Sequence, residues 1–165
     1  MPKRPSPARS LKRSDPPNWV GTDAWASALC FNTAEGAAKG VAAPASWKDL
    51  LKPEYKGMIV MPNPNSSATG LLAIAGWIKL FGEEEAWKYM DGLHENVAQY
   101  VHSGSKPCRM AATGEAVIGI AYAAPGVKAI NDGAPLSVII PSEGVGSEVE
   151  GVAILAGAHN VDDAK

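Results

Sequence analysis

Seven residues have the side chains and spacing to hold a small ligand: Ser66, Ser67, Thr69, Ser103, Gly104, Ser105 and Tyr122. The first three close the stretch PNPNSSATG (62–70), which lies between the apolar pair Ile59–Val60 and the run LLAIAGWIKLF. That order predicts a strand, a loop and then a helix. The first N–H groups of a helix have no internal acceptor and carry partial positive charge. Hydroxyl donors beside them make a cradle for a phosphate, phosphonate or carboxylate. No Lys or Arg lies within the loop, so any anion there is held by neutral donors. The plainer alternative is an ordinary cap, with Ser66 or Ser67 satisfying the helix alone.

A second loop repeats the pattern. HSGSKP (102–107) follows the apolar QYV and precedes KPCRMAA. Ser103 and Ser105 flank Gly104, whose missing side chain lets backbone come close to a ligand. Tyr122 ends the apolar stretch AVIGIAYA and is placed to close over the same ligand; the alternative is a half-buried strand aromatic.

Chemistry beyond binding finds no residues to carry it. His94, His102 and His159 form no metal-binding pair, and neither a G-x-S-x-G elbow nor a P-loop occurs. His102 reads as an exposed turn residue, and Glu83–Glu85 as a solvated helix start. No enzyme, cofactor or metal is therefore expected. Cys30 and Cys108 fit no metal-ligand spacing; a disulfide and two small buried hydrophobes both remain open.

The elements that must position these residues follow from periodicity. With 165 residues, 46% of them hydrophobic, the chain can bury a core. A net charge of −2 gives no reason to expect nucleic acid as a partner. Strands are predicted at WVGTDAWASALCFNT, GMIVM, VAQYV, AVIGIAYA, LSVIIPSEG and EGVAILAGA. Helices are predicted from Ala68 to Phe81, over EEEAWKYMDGLHENV with Trp87, Met90 and Leu93 as its stripe, over KPCRMAATGE and over GVKAINDGAP. Ser46 caps a short helix that Pro53 stops. The alternation predicts an α/β fold with a central mixed sheet flanked by helices, with Ile59–Val60, Val117–Ile120 and Val138–Ile140 in central strands. Residues 1–15, MPKRPSPARSLKRSD, read as a disordered basic arm without the apolar core of a secretory signal.

From WVGTDAWASALCFNT to GAHNVDDAK the chain resembles the extracytoplasmic solute-binding proteins of ABC importers, in the branch that holds ferric-iron, 2-aminoethylphosphonate and sugar-phosphate binders. SWKDLLKPEYKG joined to PNPNSSATG is the most specific stretch; GEEEAWKYMDGL, QYVHSGSKPCRMAATGEAVIGIAY and GAPLSVIIPSEG support it. The resemblance implies one periplasmic-binding-protein-like lobe of a two-lobed protein. Residues 16–165 make that lobe, with 16–33 and 150–165 as hinge-crossing segments. It implies an ABC permease as partner and the periplasm as location. Ferric-binding relatives place two tyrosines after the strand matching AVIGIAY, whereas here Ala123, Ala124 and Pro125 follow Tyr122. Iron(III) prefers hard oxygen donors such as phenolate, so a small anionic solute such as a phosphonate or organophosphate is the first expectation. Ferric iron, or a nonfunctional remnant, is the alternative. Trp19, Trp25 and Phe31 are expected in an apolar patch that would support a homodimer.

Overall fold

The computed structural model describes residues 19–155 and 157–161. The basic arm of residues 1–15 lies outside the described residues. Five strands run in the order β3-β2-β4-β1-β5: β1 Val20–Asn32, β2 Ile59–Pro62, β3 Val97–Val101, β4 Ile118–Tyr122 and β5 Leu136–Ile139. β2 is parallel to β3 and β4, while β1 is antiparallel to β4 and β5. A sixth strand, β6 Ser147–Val152, pairs with β1. Residues 25–148 form one compact unit. Residues 19–24 group with 149–155 and 157–161, where Thr22 Oγ1 donates to the Glu150 carbonyl at 3.4 Å.

Period-two alternation builds a core on each face of the sheet. Leu29, Phe31, Ile59, Met61, Ile118 and Ile120 face α2 Ala68–Phe81 and α3 Glu83–His94. Cys30, Val60 and Ala121 face the other way, toward α4 Lys106–Thr113 and α5 Ala123–Asn131. On the first face Trp77 stacks edge-on against Trp47 and Tyr89, with ring centroids 5.4 and 5.1 Å apart. Such pairs add about 0.5–1.5 kcal/mol beyond their burial.

Four details differ from the sequence expectation. The stripe of α3 is Ala86, Tyr89, Met90 and Leu93, while Trp87 is 53% exposed. Spacings of three and four select Tyr89, whose hydroxyl also donates to the Trp47 carbonyl at 3.0 Å. β5 pairs only with β1 along the strand order, so it is an edge rather than a central strand, and Ile140 beyond its end is 52% exposed. Phe31 is buried in the core, so the expected patch of Trp19, Trp25 and Phe31 lacks one member. Finally, α5 begins at Ala123, directly after Tyr122, rather than at Gly126. Pro125 does not prevent this, because an N–H in the first helical turn has no acceptor to lose.

The SWKD stretch forms a reciprocal cap. Asp49 N–H donates to Ser46 Oγ at 3.0 Å, and Ser46 N–H returns to Asp49 Oδ2 at 3.0 Å. It starts a short 3-10 turn, Lys48–Leu51, and a second such turn covers Pro53–Tyr55. The Lys52 ammonium, 2.8 Å from Asp49 Oδ1, and the Ala45 N–H hold the Asp49 carboxyl near a pKa of about 2. A depressed carboxylate stabilises the folded state fully above its ordinary pKa of 3.8, and that contribution disappears as pH falls through about 2. Urea denaturation between pH 5 and 2 should show stability falling in this window. Asp49→Asn should be less stable at neutral pH and flatter across the window. An unchanged acid slope in the variant would mean that Asp49 is not the group responsible.

Candidate functional site

Strand direction decides what gathers where. Because β2, β3 and β4 are parallel, the loops after all three leave the same end of the sheet. β2 lies between the other two, so Ser66, Ser67 and Thr69 are flanked by Ser103–Ser105 on one side and Tyr122 on the other. β1 runs the opposite way and brings Ser27 opposite Tyr122.

The two serine loops touch. Asn63 N–H donates to the Val101 carbonyl at 2.7 Å, which continues the ladder into the loops. The Asn63 side chain accepts Asn65 N–H at 2.9 Å and shapes the turn. Ser66 Oγ and His102 Nδ1 are hydrogen-bonded at 2.7 Å. A Cβ at Gly104 would overlap Thr69 Oγ1 and stand 3.4 Å from Ser67 Oγ. The close approach expected of Gly104 is thus made to Thr69, and Thr69 is only 7% exposed. Ser103 Oγ lies 3.3 Å from Ser105 Oγ and accepts Lys106 N–H at 3.3 Å. Tyr122 packs its ring edge against Trp25, with centroids 5.8 Å apart.

The serines of the first loop do not act as ordinary caps. Ser67 is the N-cap of α2, and its side chain makes no capping hydrogen bond. Ser66 commits its hydroxyl to His102. Ser105 before α4 and Tyr122 before α5 also make no side-chain cap. None of these three helices has an acid in its first turn. The helices that start at the other end differ. α1 Thr33–Lys39 is capped by Asn32, whose Oδ1 accepts Glu35 N–H at 2.8 Å, and Glu35 itself lies in the first turn. α3 starts where α2 ends, with Glu83, Glu84 and Glu85. Acids therefore meet the helix dipoles at one end and none does at the other, where Ser103 Oγ takes the Lys106 N–H. Lys106, exposed in the first turn of α4, adds a cation that makes no ion pair among the described residues.

Sequence reasoning misses three features. It treats His102 as a bland turn residue, because the contact with Ser66 depends on strand pairing that local sequence does not show. Pro125 hides the start of α5; a proline three residues after an apolar strand is its available signal. Ser27 is fully buried, and its hydroxyl has no partner among the described residues.

The same arrangement has relatives among known proteins. The family model for bacterial extracellular solute-binding proteins matches residues 2–165. The chain belongs to that family. It is similar to the periplasmic binding protein AfuA of Actinobacillus pleuropneumoniae, solved with exogenous fructose-6-phosphate bound. The identity is 38%, the coverage 88% of this chain and 46% of AfuA, and the TM-score 0.82. The periplasmic binding protein P5PA is 33% identical over 90% of this chain and 47% of its own, with a TM-score of 0.80. A Haemophilus influenzae protein without an assigned function is 43% identical over 122 residues, 74% of this chain and 35% of its own length. The chain thus spans about half the length of these solved structures and about a third of the Haemophilus relative.

Gly104→Ala tests the junction between the loops. The added methyl must displace Thr69 or part the loops, an overpacking cost of about 1–3 kcal/mol. Urea denaturation should show that loss. Thr69→Ala placed in the same chain should recover part of it, giving a double-mutant coupling of at least ~0.5 kcal/mol. Strictly additive effects would mean that the two side chains do not meet.

Proposed function

We propose that this chain supplies one wall of the ligand site in the substrate-binding component of an ABC importer, and that the ligand is a small organic anion carrying a phosphate or phosphonate group. One observation carries this reading: three helix starts without an acid in the first turn share one end of the sheet, among Ser66, Ser67, Ser103 and Ser105. Backbone N–H groups and hydroxyls suit the several oxygens of a phosphoryl group. The similarity to AfuA, solved with a sugar phosphate, supports the same class.

The chain binds and does no covalent chemistry in this reading. Ligand stabilises a closed form that a membrane permease recognises. Gly104 and Thr69 set the loop spacing, His102 and Lys106 add polarity, and Tyr122 borders the site. Residues 16–33 and 150–165 connect to the rest of the solute-binding protein, and the grouping of 19–24 with 149–155 and 157–161 supports that role. Its place is the periplasm. The bridged Cys30 and Cys108 support an oxidising compartment. Ferric iron fits less well: Tyr122 has no adjacent second phenol, because Ala123 already begins α5.

Calorimetric titration with fructose 6-phosphate, 2-aminoethylphosphonate, fructose and ferric citrate tests the class. The two phosphorus compounds should bind, weakly in this chain alone, and fructose and ferric citrate should not. Each hydrogen bond to a charged ligand contributes about 1.5–3 kcal/mol, so Ser67→Ala with Ser105→Ala should weaken binding by roughly two to four powers of ten. Binding of fructose as tightly as its phosphate, or an unaffected double variant, would overturn the reading.

A further inference from the structure

Cys30 and Cys108 form a junction whose consequence reaches the ligand site. Cys30 lies in β1 and Cys108 in the first turn of α4; they are bonded, with Cα atoms 5.2 Å apart, and both are fully buried. In the sheet Cys30 stands between Gly119 of β4 and Val138 of β5. Gly119 lets the start of α4 lie directly on the sheet, because a Cβ there would overlap the Pro107 carbonyl and stand 3.0 Å from Cys108 N. Gly126, in the first half of α5, covers the bridge. A Cβ at Gly126 would be 2.5 Å from Val138 Cγ2, 2.8 Å from Cys30 Sγ and 3.4 Å from Cys108 Sγ. Two of the three helix starts at the site are thus seated on one covalent point of β1.

We propose that the Cys30–Cys108 bridge, with Gly126 seated on it, is a positioning device for the anion site that sets the spacing of the α4 and α5 N-termini. The physical reason is space. Bonded sulfurs lie ~2 Å apart, whereas two thiols need van der Waals separation of about 3.5 Å or more. The site beneath α5 has no room for that increase, since even one methyl at Gly126 would clash with both neighbours. A close-packed interior passes such a change to its surroundings, so α4, α5 or both must shift. Hydrogen bonds weaken steeply once misaligned, so N–H groups aimed at one anion lose it when their helices move. A bridge between residues 78 apart also stabilises the fold, but that contribution alone leaves the affinity of the folded protein unchanged.

This inference rests on the anion-site reading, and its test separates the two. Dithiothreitol supplies two electrons and two protons, opens the bridge to two thiols and closes to its own cyclic disulfide. Fructose 6-phosphate is titrated into the oxidised and reduced chain at a temperature where circular dichroism shows both folded. Reduction should weaken binding roughly ten- to a hundredfold, the loss of one well-aimed charge-assisted hydrogen bond. Gly126→Ala with the bridge intact should show a comparable loss. In parallel, amide hydrogen exchange at 109–113 and 127–131, where the amides of α4 and α5 have helical partners, should accelerate on reduction. A lower melting temperature with unchanged affinity and unchanged exchange would overturn the proposal and leave the bridge as a plain staple. If the oxidised chain does not bind fructose 6-phosphate at all, the anion-site reading fails. Exchange at those two segments then decides the positioning role, faster supporting it and unchanged overturning it.

Discussion

The parallel alignment of β2, β3 and β4 is the constraint on which the rest depends. A strand followed by a helix on the sheet face must start that helix at the strand's carboxyl end. Three such units side by side leave no choice: α2, α4 and α5 all start at one end. The position of the candidate site follows from that topology. The antiparallel β1 then runs against β4 and carries the cysteine that ties α4 down.

Charge placement follows the same geometry. Acids sit in the first turns of α1, the Lys48–Leu51 and Pro53–Tyr55 turns and α3, and a side-chain cap serves α1. The helix starts among the serine loops receive no acid, and Ser103 Oγ takes the Lys106 N–H at 3.3 Å. An unscreened helix terminus forgoes about 0.3–1 kcal/mol of stabilisation that an acid would bring. Three starts without an acid at one end, against four acidic starts elsewhere, support the proposal that stability there is subordinate to binding an external anion. The chain belongs to a family of solute-binding proteins and spans about half the length of its solved relatives.

Much of this architecture is legible in the amino-acid sequence. Turn-rich segments between apolar runs locate β2, α2, α3 and α4 closely, because Pro62–Pro64, Gly82, Pro107 and Gly114 punctuate them. Alternation places β1 to β5, whereas the strand expected at EGVAILAGA lies earlier, at Ser147–Val152, and two Ser-rich strand-to-helix loops point to the candidate site. What escapes local pattern depends on long-range packing. Trp87 outranks Tyr89 in hydrophobicity, yet helix phase and a partner for the phenol put Tyr89 inside. The edge position of β5 and the Cys30–Cys108 pairing depend on strand order, which no local pattern encodes. His102 acquires a role only when β3 lies beside β2.

The central claim is that three helix starts act on one anion. Two-dimensional amide NMR of the 15N-labelled chain, titrated with fructose 6-phosphate, measures it most directly. The amide signals of Ala68, Thr69, Lys106, Ala123 and Ala124 should shift together and fit one saturation curve, while Glu35 and Glu83–Glu85 stay fixed. Shifts confined to one of the three helix starts, or centred on α1 or α3, would contradict a shared site.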